Sequence, residues 1–261
     1  MTEPVLRELS DGVLLLTLNR PEKKNAFNDA QWNAFRDALD EAREDRAVAC
    51  VVVTGAGKDF SAGQDLAAFG GSLDSGDDGK VGGYPGCVQA LYRFDKPLLA
   101  AARGVGVGIG ATFLFHCDVV YVGESVRLRL PFVGLGLVPE AASSYLLQAA
   151  IGPQRAAELF FSAEWIDASK AVSLGIAARA YPDEELLPAT LAKARAIAEF
   201  PVSALQGTKR TLLASRAAGV QAAHHAELEG MAALAGSPEN MEAIAAFLEK
   251  RKPDFRQFRE R

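Results

Sequence analysis

Residues 48–66 read VACVVVTGAGKDFSAGQDL. The stretch from Val48 to Thr54 is apolar and β-branched without alternation, the pattern of a strand buried on both faces, and Gly55, Ala56 and Gly57 stop it. Lys58, Asp59, Phe60, Ser61, Ala62, Gly63, Gln64, Asp65 and Leu66 then form a loop of small residues leading into a helix. Such a loop presents unpaired backbone N–H groups, which can stabilise an anion without any side-chain chemistry. Taken alone it reads first as a plain strand-to-helix turn. Upstream, residues 13–18 are another short strand, stopped by Asn19, Arg20 and Pro21. From Asn28, a residue suited to an N-cap, Trp32, Phe35, Leu39 and Ala42 recur at helical spacing and predict an amphipathic helix to about Arg46. Strand, helix, strand opens an α/β layer.

Downstream, residues 70–86 carry glycine, serine and aspartate with little apolar material and predict a mobile loop. A helix with Val88, Leu91 and Tyr92 leads to a strand over 98–102, a glycine run, a short helix through Phe113 to His116 and a strand over 119–122. Asp167 and Gly175 bracket a short helix. Beyond Glu184 the texture becomes alanine-rich, with helices predicted over 185–200 and 202–214 and a last one entered through Ser237 and Pro238. These have few large apolar side chains, so they are expected to pack on the rest of the chain or on a neighbouring subunit.

Two further stretches hold candidate chemistry. Gly104, Gly106, Gly108 and Gly110 alternate with Val105, Val107 and Ile109, clearing side chains where a ligand or packed element must approach the backbone. Gly106, Gly108 and Ala111 also fit a dinucleotide fingerprint with Glu124 as its acid, but the helix after them is too short for that unit. Residues 130–140 place one acid, Glu140, behind Pro139 among apolar and small residues. Such surroundings disfavour the ionised carboxyl and move it toward the range of a general base; a first-turn acid complementing a helix dipole is the alternative.

Composition narrows the partners. The 261 residues, 49% of them hydrophobic and 23% charged, suit a folded globular chain. A net charge of -5 is the wrong sign for nucleic acid or an anionic membrane. Three scattered cysteines read as reduced thiols, and His224 and His225 lack metal-ligand company, so no metal is expected. Without a secretory signal, a membrane-length apolar run or a peroxisomal address, cytoplasm is the expected compartment.

Taken together, the motif at 60–66, the glycine run ending in Cys117 and Asp118, residues 131–139, the early Asn25, Ala26 and Phe27 and the tail at 247–255 resemble the enoyl-CoA hydratase/isomerase family over nearly the whole chain. The resemblance implies an α/β fold: a crotonase-like ββα spiral core over 1–195 with a C-terminal α-helical oligomerisation region over 196–261, assembling as a homotrimer or dimer of trimers. It implies an acyl-CoA thioester substrate, with coenzyme A part of the substrate and no separate cofactor. By motif position the Ala62 and Ile109 amides would hold the thioester oxygen, with Gly108 and Gly110 giving access. Such a donor is typically worth about 2.7 to 4 kcal/mol. Lys23, Asn25, Ala26, Lys58, Phe60, Ser61, Gly63, Gln64, Asp65, Leu66, Phe132, Leu135 and Lys250 would contact substrate or CoA. Backbone groups at 23–26 would recognise adenine, and Lys250 either reaches a CoA phosphate or is a solvated helix end. Asp65 would order its loop, and Asp118 would be a buried structural acid. Residues 69–84 would cover the acyl chain.

Hydratases of this family carry two glutamates where Thr112 and Phe132 stand here. The isomerases that keep one glutamate match Glu140, followed by Ser143 and Ser144. The resemblance therefore implies a 3-enoyl-CoA to 2-enoyl-CoA isomerase, with a hydratase, a thioester hydrolase or a non-catalytic acyl-CoA binder as alternatives.

Overall fold

The computed structural model describes residues 3–65 and 81–259. Strands β1 (Val5–Ser10) and β2 (Val13–Leu18) form a hairpin closed by Asp11 and Gly12, both with positive φ. Asp-Gly is the pair such a two-residue turn favours. Helix α1 (Asp29–Glu44) begins at Asn28, whose side chain accepts the Gln31 N–H at 3.0 Å, a cap worth about 1 kcal/mol. Its expected apolar stripe, Trp32, Phe35, Leu39 and Ala42, is buried.

Strands β3 (Cys50–Gly55), β4 (Leu98–Ala102), β6 (Val119–Gly123) and β9 (Arg179–Tyr181) extend the sheet in the order β1-β2-β3-β4-β6-β9, parallel beyond the first pair. Side chains alternate across it. Val51, Val53 and Leu98 join the large core with α1 and α2 (Gly83–Arg93), whereas Cys50, Val52 and Leu99 face α7 (Asp183–Ala198). Both faces are covered, so these strands read as continuous apolar runs. The border expected at 195/196 falls within α7. Of the expected loop at 70–86, residues 70–80 lie outside the described ones, while residues 83–86 open α2, a correction. Pro85 sits in the first turn, where a missing N–H loses nothing.

The glycine run holds a short strand, β5 (Val105–Val107), which pairs with β7 (Arg127–Arg129), and β7 with β8 (Ile166–Asp167), making a second small sheet. Then come α3 (Ile109–Thr112), continued by a 3-10 turn at Phe113–His116, and α4 (Ser143–Ile151), α5 (Pro153–Ser162) and α6 (Ala168–Leu174). Asp167 and Gly175 cap α6 as expected.

The helix predicted over 202–214 is one piece of α8 (Val202–Leu234), and α9 (Pro238–Leu248) follows, capped by Ser237. Helix α8 packs on the chain's own core. A Cβ at Gly219 would stand 2.3 Å from the Tyr145 ring, so glycine there lets α8 close onto α4. Asp118 is exposed rather than buried as expected, yet structural: it accepts Leu98 N–H at 2.8 Å and Lys209 Nζ at 2.6 Å, tying α8 to β4. Lys209→Met is expected to lower the unfolding free energy by about 2 kcal/mol, measured by urea denaturation.

Candidate functional site

The loop after β3 and the glycine run lie side by side. Ser61 N–H donates to Val105 O at 2.9 Å and Val107 N–H to Ser61 O at 3.0 Å, a parallel pairing of Ser61 with Gly106. Three residues further along each segment stand Gln64 and Ile109. Phe27 N–H donates to Gly63 O at 2.7 Å and Asp65 N–H to Phe27 O at 2.9 Å, so the neighbours of Gln64 are spent on one side and its own N–H points to the other. Among the described residues neither Gln64 N–H nor Ile109 N–H has an acceptor. Ile109 opens α3, where an amide has no intrahelical partner.

The Ala62 assignment is therefore corrected. Lys24 and Asn25 both adopt positive φ, a turn that aims Lys24 O at the loop, and Ala62 N–H donates to it at 2.8 Å. Gln64, counted only as a substrate contact from sequence, supplies the free amide instead. Its side chain accepts Trp32 Nε1 at 2.9 Å, which fixes the residue.

Several expected contact residues are framework. Asn25 is fully buried, with its side-chain amide donating to Ala56 O and Asp59 O and its oxygen accepting Arg20 N–H. The N–H groups of Lys24, Asn25 and Ala26 are spent within the turn, so adenine finds no donor there. Ser61 is buried, its hydroxyl donating to Asn25 O at 2.9 Å and accepting Gly63 N–H. Phe60 is core, packed against Phe113 with ring centroids 6.0 Å apart. Asp65 orders its loop as expected, 3.0 Å from Arg20. Lys23, Lys58 and Lys250 are exposed, and Lys250 sits just past α9. Phe132 is buried, and Leu135 lies in the turn whose oxygen Asn240 of α9 grips at 2.7 Å. Leu66 lies outside the described residues.

Glu140 stands on the turn before α4. It is half-buried, and its Oε1 lies 3.4 Å from the Thr112 hydroxyl, on the helix that Ile109 opens. The carboxyl thus lies beside the short helix whose first amide is free. Burial raises the Glu140 carboxyl, a hydrogen bond from Tyr84 opposes the rise, the nearby Glu227 adds to it and a hydrogen bond from Thr112 opposes it again, which leaves the group at about 7. Tyr84, from the stretch expected to be a featureless cover, also accepts Ala141 N–H at 3.0 Å, and its phenol is pushed up by burial and the Glu140 charge. It stays a proton donor. Burial lowers His116 to about 4, so its neutral ring donates through Nε2 to Ala141 O at 2.8 Å. Ala141 and Ala142 both have φ of +56°, a conformation costing roughly 1–3 kcal/mol for each non-glycine residue. No group of three or more metal-ligating side chains is found among the described residues.

Fold and site together set two unpartnered backbone amides on adjoining segments and one raised carboxyl on the turn before α4. The chain belongs to the enoyl-CoA hydratase/isomerase family, whose profile matches residues 8–259. It is 34% identical to a 2,3-dehydroadipyl-CoA hydratase of Escherichia coli, covering 94% of this chain and 95% of that one. It is 31% identical to a 1,2-epoxyphenylacetyl-CoA isomerase of Escherichia coli, covering 98% and 99%. A solved enoyl-CoA hydratase/isomerase from Pseudoalteromonas atlantica superposes with a TM-score of 0.91 at 35% identity, covering 97% and 99%. The α/β spiral with its C-terminal helices is the crotonase-like fold expected from the sequence. Among the described residues no helix is long and apolar enough to cross a membrane.

Proposed function

We propose that the chain isomerises 3-enoyl-CoA to 2-enoyl-CoA, with Glu140 as the single proton shuttle. One observation carries the reading: the Glu140 carboxyl, raised to about 7, meets the Thr112 hydroxyl rather than a second catalytic acid, and the other position where such an acid is expected holds the buried Phe132. Glu140 takes a C2 proton, the electron pair moves onto the thioester oxygen, and the Gln64 and Ile109 N–H groups hold the resulting dienolate. The protonated carboxyl then returns its proton to C4. One acid completes the cycle with no net gain or loss of atoms, and no separate cofactor enters it. A dry pocket favours this over hydration, since it raises basicity and excludes the competing nucleophile.

The deciding assay offers 3-enoyl and 2-enoyl thioesters side by side. The expected product from the first is 2-enoyl-CoA, with no 3-hydroxyacyl-CoA from the second. A 3-hydroxyacyl product formed as fast as the isomer would replace the reading with hydration. The pH dependence is also fixed: the base must be ionised, so kcat rises about tenfold per pH unit below 7 and levels off above it, as a pH–rate profile will record. We also propose assembly as a homotrimer or dimer of trimers, supported by the exposed Leu228, Leu234, Met241, Phe247 and Leu248 on α8 and α9.

A further inference from the structure

We propose that Glu227, on the long helix α8, is a positioning residue that clamps the turn carrying Glu140 and so sets where that carboxyl points and when it ionises. The inference rests on reading Glu140 as the working base. Glu227 lies 87 positions beyond Glu140 in the chain, and only the docking of α8 brings it there. Its residue is 5% exposed, and its two oxygens accept Ala142 N–H at 2.6 Å and Ser144 N–H at 2.9 Å. Those amides lie at the N-terminus of α4, where orphan donors and the helix dipole both favour a carboxylate.

The turn needs such a clamp. Ser143 N–H donates to Glu140 O at 3.0 Å across Ala141 and Ala142, both held at positive φ without glycine. Strained backbone of this kind persists where its surroundings over-determine it. Here the Tyr84 hydroxyl accepts Ala141 N–H, His116 donates to Ala141 O, and Glu227 takes the next free amides. Glu227 is the one charged member. The titratable groups facing Glu140 are Tyr84 and Tyr92 from α2, Glu227 from α8 and, through Ala141, the neutral His116; Thr112 of α3 adds a hydroxyl.

The experiment compares Glu227→Gln with the natural enzyme. Glutamine keeps the size but removes the charge, and it offers only one oxygen to two N–H groups. The expected result is a 10- to 100-fold fall in kcat for 3-enoyl-CoA with KM changed less than threefold. The Glu140 carboxyl, followed by 13C NMR in the substrate-free protein and assigned by its loss in Glu140→Gln, should titrate lower than in the natural enzyme. An unmoved NMR midpoint, or a kcat within threefold of the natural enzyme, overturns the clamp. Should Glu227→Gln fail to fold, the same readouts are taken in an Ala142→Gly background, where glycine accepts positive φ without strain. Failure of the isomerase reading looks different: Glu140→Gln would keep full turnover, whatever the NMR midpoint does.

Discussion

Glu140→Gln is expected to lower 3-enoyl-CoA isomerisation by about 10²- to 10⁴-fold, the usual contribution of a positioned acid–base group, while acyl-CoA still binds in a calorimeter. The shape of the pocket survives because glutamine matches the size of glutamate and keeps an oxygen for the Thr112 hydroxyl. The same substitution makes a second, opposite prediction for stability. The folded-state carboxyl titrates near 7 against an ordinary 4.5, so folding favours its protonated form. That preference costs nothing below pH 4.5, where the carboxyl is protonated whether the chain is folded or not. The penalty grows between 4.5 and 7, and above 7 it reaches roughly 3 kcal/mol. Urea unfolding should therefore show Glu140→Gln more stable than the natural chain at pH 8 and equal to it at pH 4.5. Equal stability at both would mean that burial does not tune this acid.

Gly63→Ala should cost stability on two counts, strained backbone and a clash with a backbone atom. Gly63 has φ of +89°, and a Cβ there would stand 2.4 Å from Val107 O, a backbone atom that cannot swing away. Backbone strain and overpacking each add roughly 1–3 kcal/mol, so a loss of about 2 to 5 kcal/mol is expected in urea denaturation. The clash pries the 61–64 segment from 105–108 and moves Gln64 N–H away from Ile109 N–H, so kcat should fall more than tenfold as well. Gly207→Ala is the control. It lies inside α8 with open space around it and an ordinary backbone, and alanine there should stabilise by about 0.5–1 kcal/mol. If both variants behave alike, the close approach of the two segments is not what glycine protects.

Much of the fold was legible because local and global preferences agree. Strands at 13–18 and 98–102 and the helix capped by Asn28 followed from apolar patterning and cap chemistry. Strand β1 carries its signal in the Asp11–Gly12 turn rather than in its own mixed residues, and the helix expected around Val88, Leu91 and Tyr92 begins earlier than its pattern, because Gly83, Pro85 and Gly86 look like loop chemistry although the first turn of a helix tolerates them. Helix α8 was cut short at 214 because its alanine-rich run carries no periodic apolar stripe to mark it as continuous.

Sequence alone determined the family, the lone acid at position 140, the missing partner carboxyls at Thr112 and Phe132, and the parallel apolar strands, since each is a matter of residue type and spacing. Tertiary structure decided which amides stay free. Ala62 and Gln64 are two residues apart in one loop, and only the Lys24 carbonyl, swung round by a left-handed turn, takes the first and leaves the second. It likewise brought Tyr84, His116 and Glu227 around the Glu140 turn from three separate elements. Hydrogen-bond partnership and burial are properties of neighbours in space, and a one-dimensional pattern does not carry them.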